Sequence, residues 1–304
     1  MSFWSGIGRL WRVQDRTAAR VGVETGSQPR GAPSAELRVE AGVASDPGCV
    51  RAVNEDALRV IRPTTAEELA RHGVLAVVCD GMGGHEAGEV ASALALETIV
   101  QRFATDDRAL PEALVRAIQA ANTAIRRATR DNARLRGIGT TCCALVLRDG
   151  AAHCAHVGDS RCYLVRDGEV FLMTEDHSAV MDLVRRGLLT RDEASHHPER
   201  NVISRALGSH DEVAVSAWER PFAVRPGDAF ILCSDGLHDL VGDEELRDVV
   251  GAGEVHAQVA CDRLVALARE RGGHDNISVA VLRMRADGAG AAAPRETRTL
   301  EAAS

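Results

Sequence analysis

Val74-Leu-Ala-Val-Val-Cys-Asp-Gly-Met-Gly-Gly-His85 joins six consecutive apolar residues to a carboxylate and a run of glycines. An unbroken apolar run of that length, β-branched at Val74, Val77 and Val78, fits a buried strand. Asp80 then stands at the strand's end, and the glycines after it let the backbone turn and come close to whatever the carboxylate serves. The pattern recurs at Ala229-Phe-Ile-Leu-Cys-Ser-Asp-Gly236, where Asp235 follows a second apolar run. Two strand-end carboxylates beside glycine-opened loops imply one shared site at the edge of a core.

Around these two runs, short β-like segments recur at 37–44, 56–61, 73–79, 140–148, 151–157, 160–166, 213–219, 228–234 and 276–284. Ala87, Val90, Ala91, Leu94 and Ala95 form an apolar stripe at helical spacing. Leu110, Leu114, Ala117, Ile118, Ala121 and Ile125 form another, and a third periodic segment, 254–271, stops at Gly272-Gly273. Strands in meander order with helices in pairs favour antiparallel sheets covered by helices. No internal repeat is present. Residues 1–35 read as a flexible leader with a turn-rich linker at 26–34, residues 36–284 as the folded domain, and residues 285–304 as a disordered tail. In the leader, Phe3, Trp4, Ile7, Leu10 and Trp11 fall at helical spacing among arginines, but Gly6 and Gly8 weaken any helix. A short amphipathic helix in residues 3–16, docking to a membrane surface or a partner, is the alternative to an unstructured leader.

The 304 residues, 45% hydrophobic and 26% charged, suffice for a full core. No apolar run approaches the roughly 20 residues that cross a bilayer, and no cleavable signal is evident, so the expected location is cytoplasmic. Eight cysteines without a CxxC pair, most inside apolar runs, suit buried free thiols in a reducing compartment. A net charge of -8 argues against nucleic acid as a partner.

Two further aspartates share the strand-end pattern: Asp56 in Arg51-Ala-Val-Asn-Glu-Asp56, and Asp275 in Gly272-Gly-His-Asp-Asn276. Carboxylates gathered at a core edge repel one another and lose solvation unless a cation neutralises them. All-oxygen ligands select Mg2+ or Mn2+ over zinc or copper, and no EF-hand-like loop supports calcium. Glycines 81, 83 and 84 would let backbone carbonyls approach an ion.

Asn54-Glu-Asp56, Asp80-Gly-Met-Gly-Gly-His85, Gly139-Thr-Thr141, Val157-Gly-Asp-Ser-Arg161, Thr174-Glu-Asp-His-Ser178, Ile203-Ser-Arg-Ala-Leu-Gly208, Ser234-Asp-Gly-Leu237 and Gly273-His-Asp-Asn-Ile277 together resemble the bacterial branch of the metal-dependent protein phosphatase 2C family. The motifs stand in that family's order over about residues 40–282. The resemblance implies an α+β fold, a four-layer α/β/β/α sandwich of two antiparallel sheets flanked by helix pairs. It implies a serine/threonine protein phosphatase in which water activated between two Mn2+ or Mg2+ ions attacks phosphorus in line.

By the same resemblance, Asp80 would bridge the ions, with the Gly81 carbonyl on one and Asp235 and Asp275 completing the other. Glu55 and Asp56 would hold the second ion, partly through water. Arg51 would grip phosphoryl oxygens, its alternative being a surface ion pair. His85 would act as general acid, its alternative a structural histidine; Met82 stands where animal relatives carry histidine. Asp159 and Asp239 would hold a third, weaker ion. His177, His196 and His197 are read as loop histidines. Residues 176–204, with Arg185, Arg186, Arg191 and Arg200, would form a basic flap that attracts acidic phosphopeptides.

Two rival classes remain open at this level. One is a metal-free phosphoprotein-binding module, which the four retained aspartates disfavour. The other is a two-metal hydrolase of small phosphate esters, for which no nucleotide-binding fingerprint exists. The expected partners are phosphorylated proteins and a cognate Hanks-type serine/threonine kinase, with the chain acting as a monomer.

Overall fold

The structure, a computed structural model, describes residues 11–12, 37–83, 87–251, 255–286 and 298–301. Its strands are β1 (Leu37–Asp46), β2 (Ala57–Arg62), β3 (Val74–Cys79), β4 (Cys142–Arg148), β5 (Ala151–Val157), β6 (Arg161–Arg166), β7 (Glu169–Leu172), β8 (Ala229–Cys233) and β9 (Ile277–Ala286). The longer helices are α1 (Gly88–Thr105), α2 (Leu110–Asp131), α3 (Asp243–Gly251) and α4 (Ala257–Glu270). One sheet runs β7-β6-β8-β9-β1, with Trp11–Arg12 added beyond β7. The other runs β5-β4-β3-β2, with Ser216–Ala217 and Phe222–Ala223 on β5 and Arg298–Glu301 on β2. All these pairings are antiparallel.

The layering follows from which side of each strand is apolar. On β3, Val74, Ala76 and Val78 face the other sheet, where they meet Phe230, Leu232, Ala280 and Leu282. Leu75, Val77 and Cys79 face outward beneath α1 and α2, against Ala91, Ile99, Leu114 and Ile118. Ile231, Cys233, Val279 and Val281 point away from the centre beneath α3 and α4, against Leu246, Cys261 and Leu264. A strand covered on both faces has no solvated side, so its apolar run is continuous instead of alternating. Helix, sheet, sheet and helix therefore stack in four layers, as the family resemblance implied.

Several elements depart from the sequence reading. The 140–148 segment breaks at Thr141, because Gly139–Thr140 leaves the sheet to pair with Gly81–Met82. The 213–219 segment contracts to Ser216–Ala217. Val90, expected on the apolar stripe, is exposed, since Ala91 and Ala95 already point at the sheet. Strand β7 and the helices Ala66–His72 and α3 carry no clean periodicity and emerge only in the structure. Residues 11–12 and 298–301 form short edge strands inside segments expected to be a flexible leader and a disordered tail. The remainder of the amphipathic segment 3–16 lies outside the described residues.

Candidate metal centre

Asp80 is held by its backbone. Its N–H donates to Thr141 Oγ1 at 2.9 Å, and its carbonyl accepts from the Thr141 N–H at 2.9 Å and from Thr140 Oγ1 at 2.8 Å. Thr141 Oγ1 also meets Ser160 Oγ at 2.6 Å. With both backbone groups committed, the carboxylate projects from a fixed point between the ends of the two sheets. Gly81 follows in a crowded place, where a Cβ would lie 2.4 Å from the Glu55 and Gly88 carbonyl oxygens. Only glycine fits there.

A second set of contacts brings the remaining carboxylates to this point. Ser234 Oγ donates to Asp56 Oδ2 at 2.7 Å and accepts from the Ser278 N–H at 3.0 Å. Asp235 begins the short helix Asp235–His238, whose Gly236 packs against the Asn276 backbone. Asn276 Oδ1 accepts from the Glu55 N–H at 2.8 Å, while its Nδ2 donates to the Pro47 and Val53 carbonyls at 3.1 and 3.0 Å. This one amide sews the 47–55 loop to the start of β9. Asp275 lies beside it, paired through Oδ2 with Arg51 Nη2 at 2.8 Å. Glu55 Oε1 accepts from the Gly88 N–H at 2.9 Å, a stabilising position for an anion at the start of α1.

The charges crowd one another. Burial pushes Asp56 up to about 7 against the pull of hydrogen bonds to Ser278 and Ser234, with Asp235 and Asp275 adding repulsion. Burial raises Asp80 well above the usual carboxylate range, helped by Asp56, Asp235 and Asp159. Asp235 is raised by burial and by Asp275, although His238 opposes the shift. Asp159 is pushed up to about 7 by burial and then by Asp235.

Asp159 and Asp239, expected to act together, have opposite surroundings. Asp159 is buried with Oδ1 unpartnered. Burial would raise Asp239 too, but the neighbouring His238, Asn201 Nδ2 at 2.9 Å and Arg200 outweigh it and hold the carboxyl at about 2. His238 stands between the two, with Nε2 3.1 Å from the Asp159 carbonyl and Nδ1 3.4 Å from Asp239 Oδ1.

Sequence reasoning assigned no role to Ser234, Asn276, Thr141 or His238. Each sits inside or beside a motif that was singled out, and that adjacency was the available signal; their partners lie far along the chain. His177 lies in a loop, as read from the sequence, but it is buried and stacked on His156 at 4.7 Å. Its Nδ1 accepts from the Gly158 N–H at 3.0 Å, and its Nε2 lies 2.9 Å from Ser216 Oγ and 3.2 Å from Arg205 Nη1. The flap's basic character is corrected: Arg185 pairs with Glu175 and Asp182, Arg191 with Glu175, and Arg200 with Asp239. His85 lies outside the described residues.

Among the described residues, no three His, Cys, Asp or Glu side chains stand ready as a closed ligand set. The donor chemistry nonetheless fits a hard divalent cation. Asp56 Oδ1 and Asp159 Oδ1 are buried without partners, and the surrounding carboxylates are oxygen donors that raise one another's proton affinity.

A family model for protein phosphatase 2C matches residues 51–277. The serine/threonine protein phosphatase PstP of Mycobacterium tuberculosis is 39% identical over 240 residues, 78% of this chain and 43% of that protein. The chain thus aligns with less than half the length of that relative. The serine/threonine phosphatase stp of Listeria innocua is 33% identical over 240 residues, 77% of this chain and 92% of that protein. The crystal structure of the PstP catalytic domain with two manganese ions superposes with a TM-score of 0.68 at 35% identity, covering 82% of this chain and 99% of that one.

Proposed function

The chain belongs to the protein phosphatase 2C family, whose matched relatives are serine/threonine protein phosphatases, and from that premise we propose that it hydrolyses phosphoserine and phosphothreonine in proteins. The observation that carries this reading is the convergence of the half-buried Asp56, Asp80 and Asp235 with the buried Asp159, carboxylates whose proton affinity is raised by burial and by their neighbours' charge. Such a cluster is costly without a neutralising cation.

On this reading Asp80, the Gly81 carbonyl, Asp235, Asp275, Asp56 and Glu55 would hold two ions, Mn2+ or Mg2+, and Asp159 with Asp239 would hold a third. Bound there, the ions supply charge neutralisation for the phosphate and a water acidic enough to attack near neutral pH. The chain's own residues do the rest. Thr141 and Ser234 fix the Asp80 backbone and the Asp56 carboxylate, so the ligands need little reorganisation. Arg51 uses Nη2 on Asp275 and has further guanidinium donors to grip phosphoryl oxygens. His85 is the proposed proton donor to the leaving serine or threonine oxygen. No described helix is long and apolar enough to cross a membrane. The eight free thiols suit a reducing cytoplasm. There the enzyme, a monomer, would oppose a Hanks-type serine/threonine kinase.

The test is phosphate release from a phosphothreonine peptide with Mn2+ or Mg2+, with and without chelator, beside Asp80→Ala and Asp235→Ala. Metal-dependent release by the wild type, lost in both variants, is the expected result. A wild type that binds phosphoprotein but releases no phosphate with either metal would be a binding module instead.

A further inference from the structure

We propose that a groove beside the metal centre, between the C-terminal half of α2 and the 136–138 and 208–209 loops, binds an anionic residue of the polypeptide substrate. The proposal rests on the phosphatase reading for its substrate class. The groove is a cavity of about 550 Å³ lined by Arg126, Thr129, Arg130, Arg136, Ile138 and Ser209, among others.

Its walls are held in place. Asn122 Nδ2 donates to the His210 and Asp211 carbonyls at 3.0 and 3.1 Å, and its Oδ1 accepts from the Gly208 N–H at 2.7 Å. These bonds fasten the 208–211 loop to α2. Asp211 Oδ1 accepts from Arg126 Nε and Nη2 at 3.0 and 2.9 Å and from Arg130 Nη2 at 2.6 Å. Three guanidinium groups therefore line the groove against one carboxylate at its rim, and Arg136 has no side-chain partner among the described residues. Cations near a helix C-terminus are favoured by the helix dipole, which accounts for Arg126 and Arg130. Arg136 lies beyond the helix end at Asp131, so the dipole does not account for it. A surplus of guanidinium forks on the walls of a cavity suits a carboxylate or a phosphate.

Position ties the groove to the reaction. Ile138 in its lining immediately precedes Gly139–Thr140, the short strand that pairs with Gly81–Met82, and the Thr141 N–H is bonded to the Asp80 carbonyl. Three residues of extended chain, about 10 Å, separate Thr141 from Ile138. A substrate whose phosphate rests at Asp80 would reach the groove with a side chain about three to five residues away.

The experiment compares kcat/KM for phosphothreonine peptides that differ only in Glu against Gln at three to five residues from the phosphothreonine, on either side, with the full chain and Mn2+. Wild type is expected to prefer the Glu peptide on one side by at least about threefold, and the preference should shrink as salt rises. Arg136→Glu is expected to abolish that ratio and Arg136→Ala to reduce it. Arg127→Glu makes the same charge change at an exposed position outside the groove and should keep the ratio. Equal rates for Glu and Gln peptides, or equal loss in Arg136→Glu and Arg127→Glu, would overturn the proposal. Fluorescence anisotropy of a labelled, unphosphorylated four-glutamate peptide reads the groove without catalysis. Binding lost in Arg136→Glu but kept in Arg127→Glu supports the groove even if no peptide is hydrolysed, which would sink the phosphatase reading alone; no binding by wild type counts against the groove.

Discussion

Ser234 holds three distant parts of the chain with one hydroxyl: its own strand end, Asp56 at the mouth of β2, and the backbone of Ser278 in β9. Ser234→Ala would leave Asp56 without that donor and the Ser278 N–H without its acceptor, in a buried place. The expected loss is about 1–3 kcal/mol of unfolding free energy, read from urea titrations. Arg166, partly exposed, and the buried Asp228 form a second unit, joined at 2.7 and 2.6 Å, with Arg166 also donating to the Ala223 carbonyl at 3.0 Å. Asp228→Ala strands the guanidinium and should cost about 3–5 kcal/mol in the same assay. His177 makes a pH prediction. Burial, then the facing His156, Arg205 and Arg185, hold its imidazole down to about 3, against the weaker pull of Asp176. The unfolded state therefore binds the extra proton between the ordinary histidine pKa of about 6.5 and about 3, so stability falls as pH drops through that window. Between about pH 6.5 and 5 this one group should contribute a loss of about 1–2 kcal/mol. Measured as a difference from wild type, His177→Asn should remove that slope; parallel pH curves would refute the assignment.

At the scale of elements, α4 and β1 come close enough that only glycine fits between them at position 42. A Cβ on Gly42 would lie 2.3 Å from the Gln258 backbone N. Gln258 uses that proximity: its Oε1 accepts from the Val43 N–H at 3.1 Å and its Nε2 donates to the Val43 carbonyl at 2.7 Å. The helix thus satisfies backbone groups on the free side of an edge strand, which would otherwise invite pairing with another chain. Gly42→Ala should push α4 off the sheet and cost about 1–3 kcal/mol in thermal or urea unfolding. A variant as stable as wild type would mean the helix is not packed this closely.

For the whole molecule, the proposed metal centre lies where both sheets end, so the charge of its carboxylates is a burden on the fold as well as a tool. Any cation that binds only the native state adds stability by mass action, about 2.7 kcal/mol at a hundredfold excess over its dissociation constant. Calorimetry should show the melting temperature rising with Mn2+, falling back with chelator, and responding little to Mn2+ in Asp80→Ala. An equal rise in wild type and variant would place the cation elsewhere.

The amino-acid sequence by itself determined the buried strands at 74–79 and 229–233, the two long helices against them, and the strand-end aspartates. All are local patterns: continuous apolar runs, helical spacing, and a carboxylate before glycine. Strand β7 and helix α3 were not legible, because β7 is only partly buried and α3 buries only Leu246 and Val250. Tertiary structure alone decided which groups meet. It set Asn276 against Glu55, Ser234 against Asp56 and Arg51 against Asp275, contacts across 178 to 224 residues that follow from strand register. It also neutralised much of the flap by placing Glu175, Asp182 and Asp239 beside its arginines, and it left Arg136 without a side-chain partner among the described residues, near the pairing of Gly139–Thr140 with Gly81–Met82. Periodicity records how far each side chain lies from water; which charge faces which depends on how two sheets and their helices close on each other, and no local pattern encodes that.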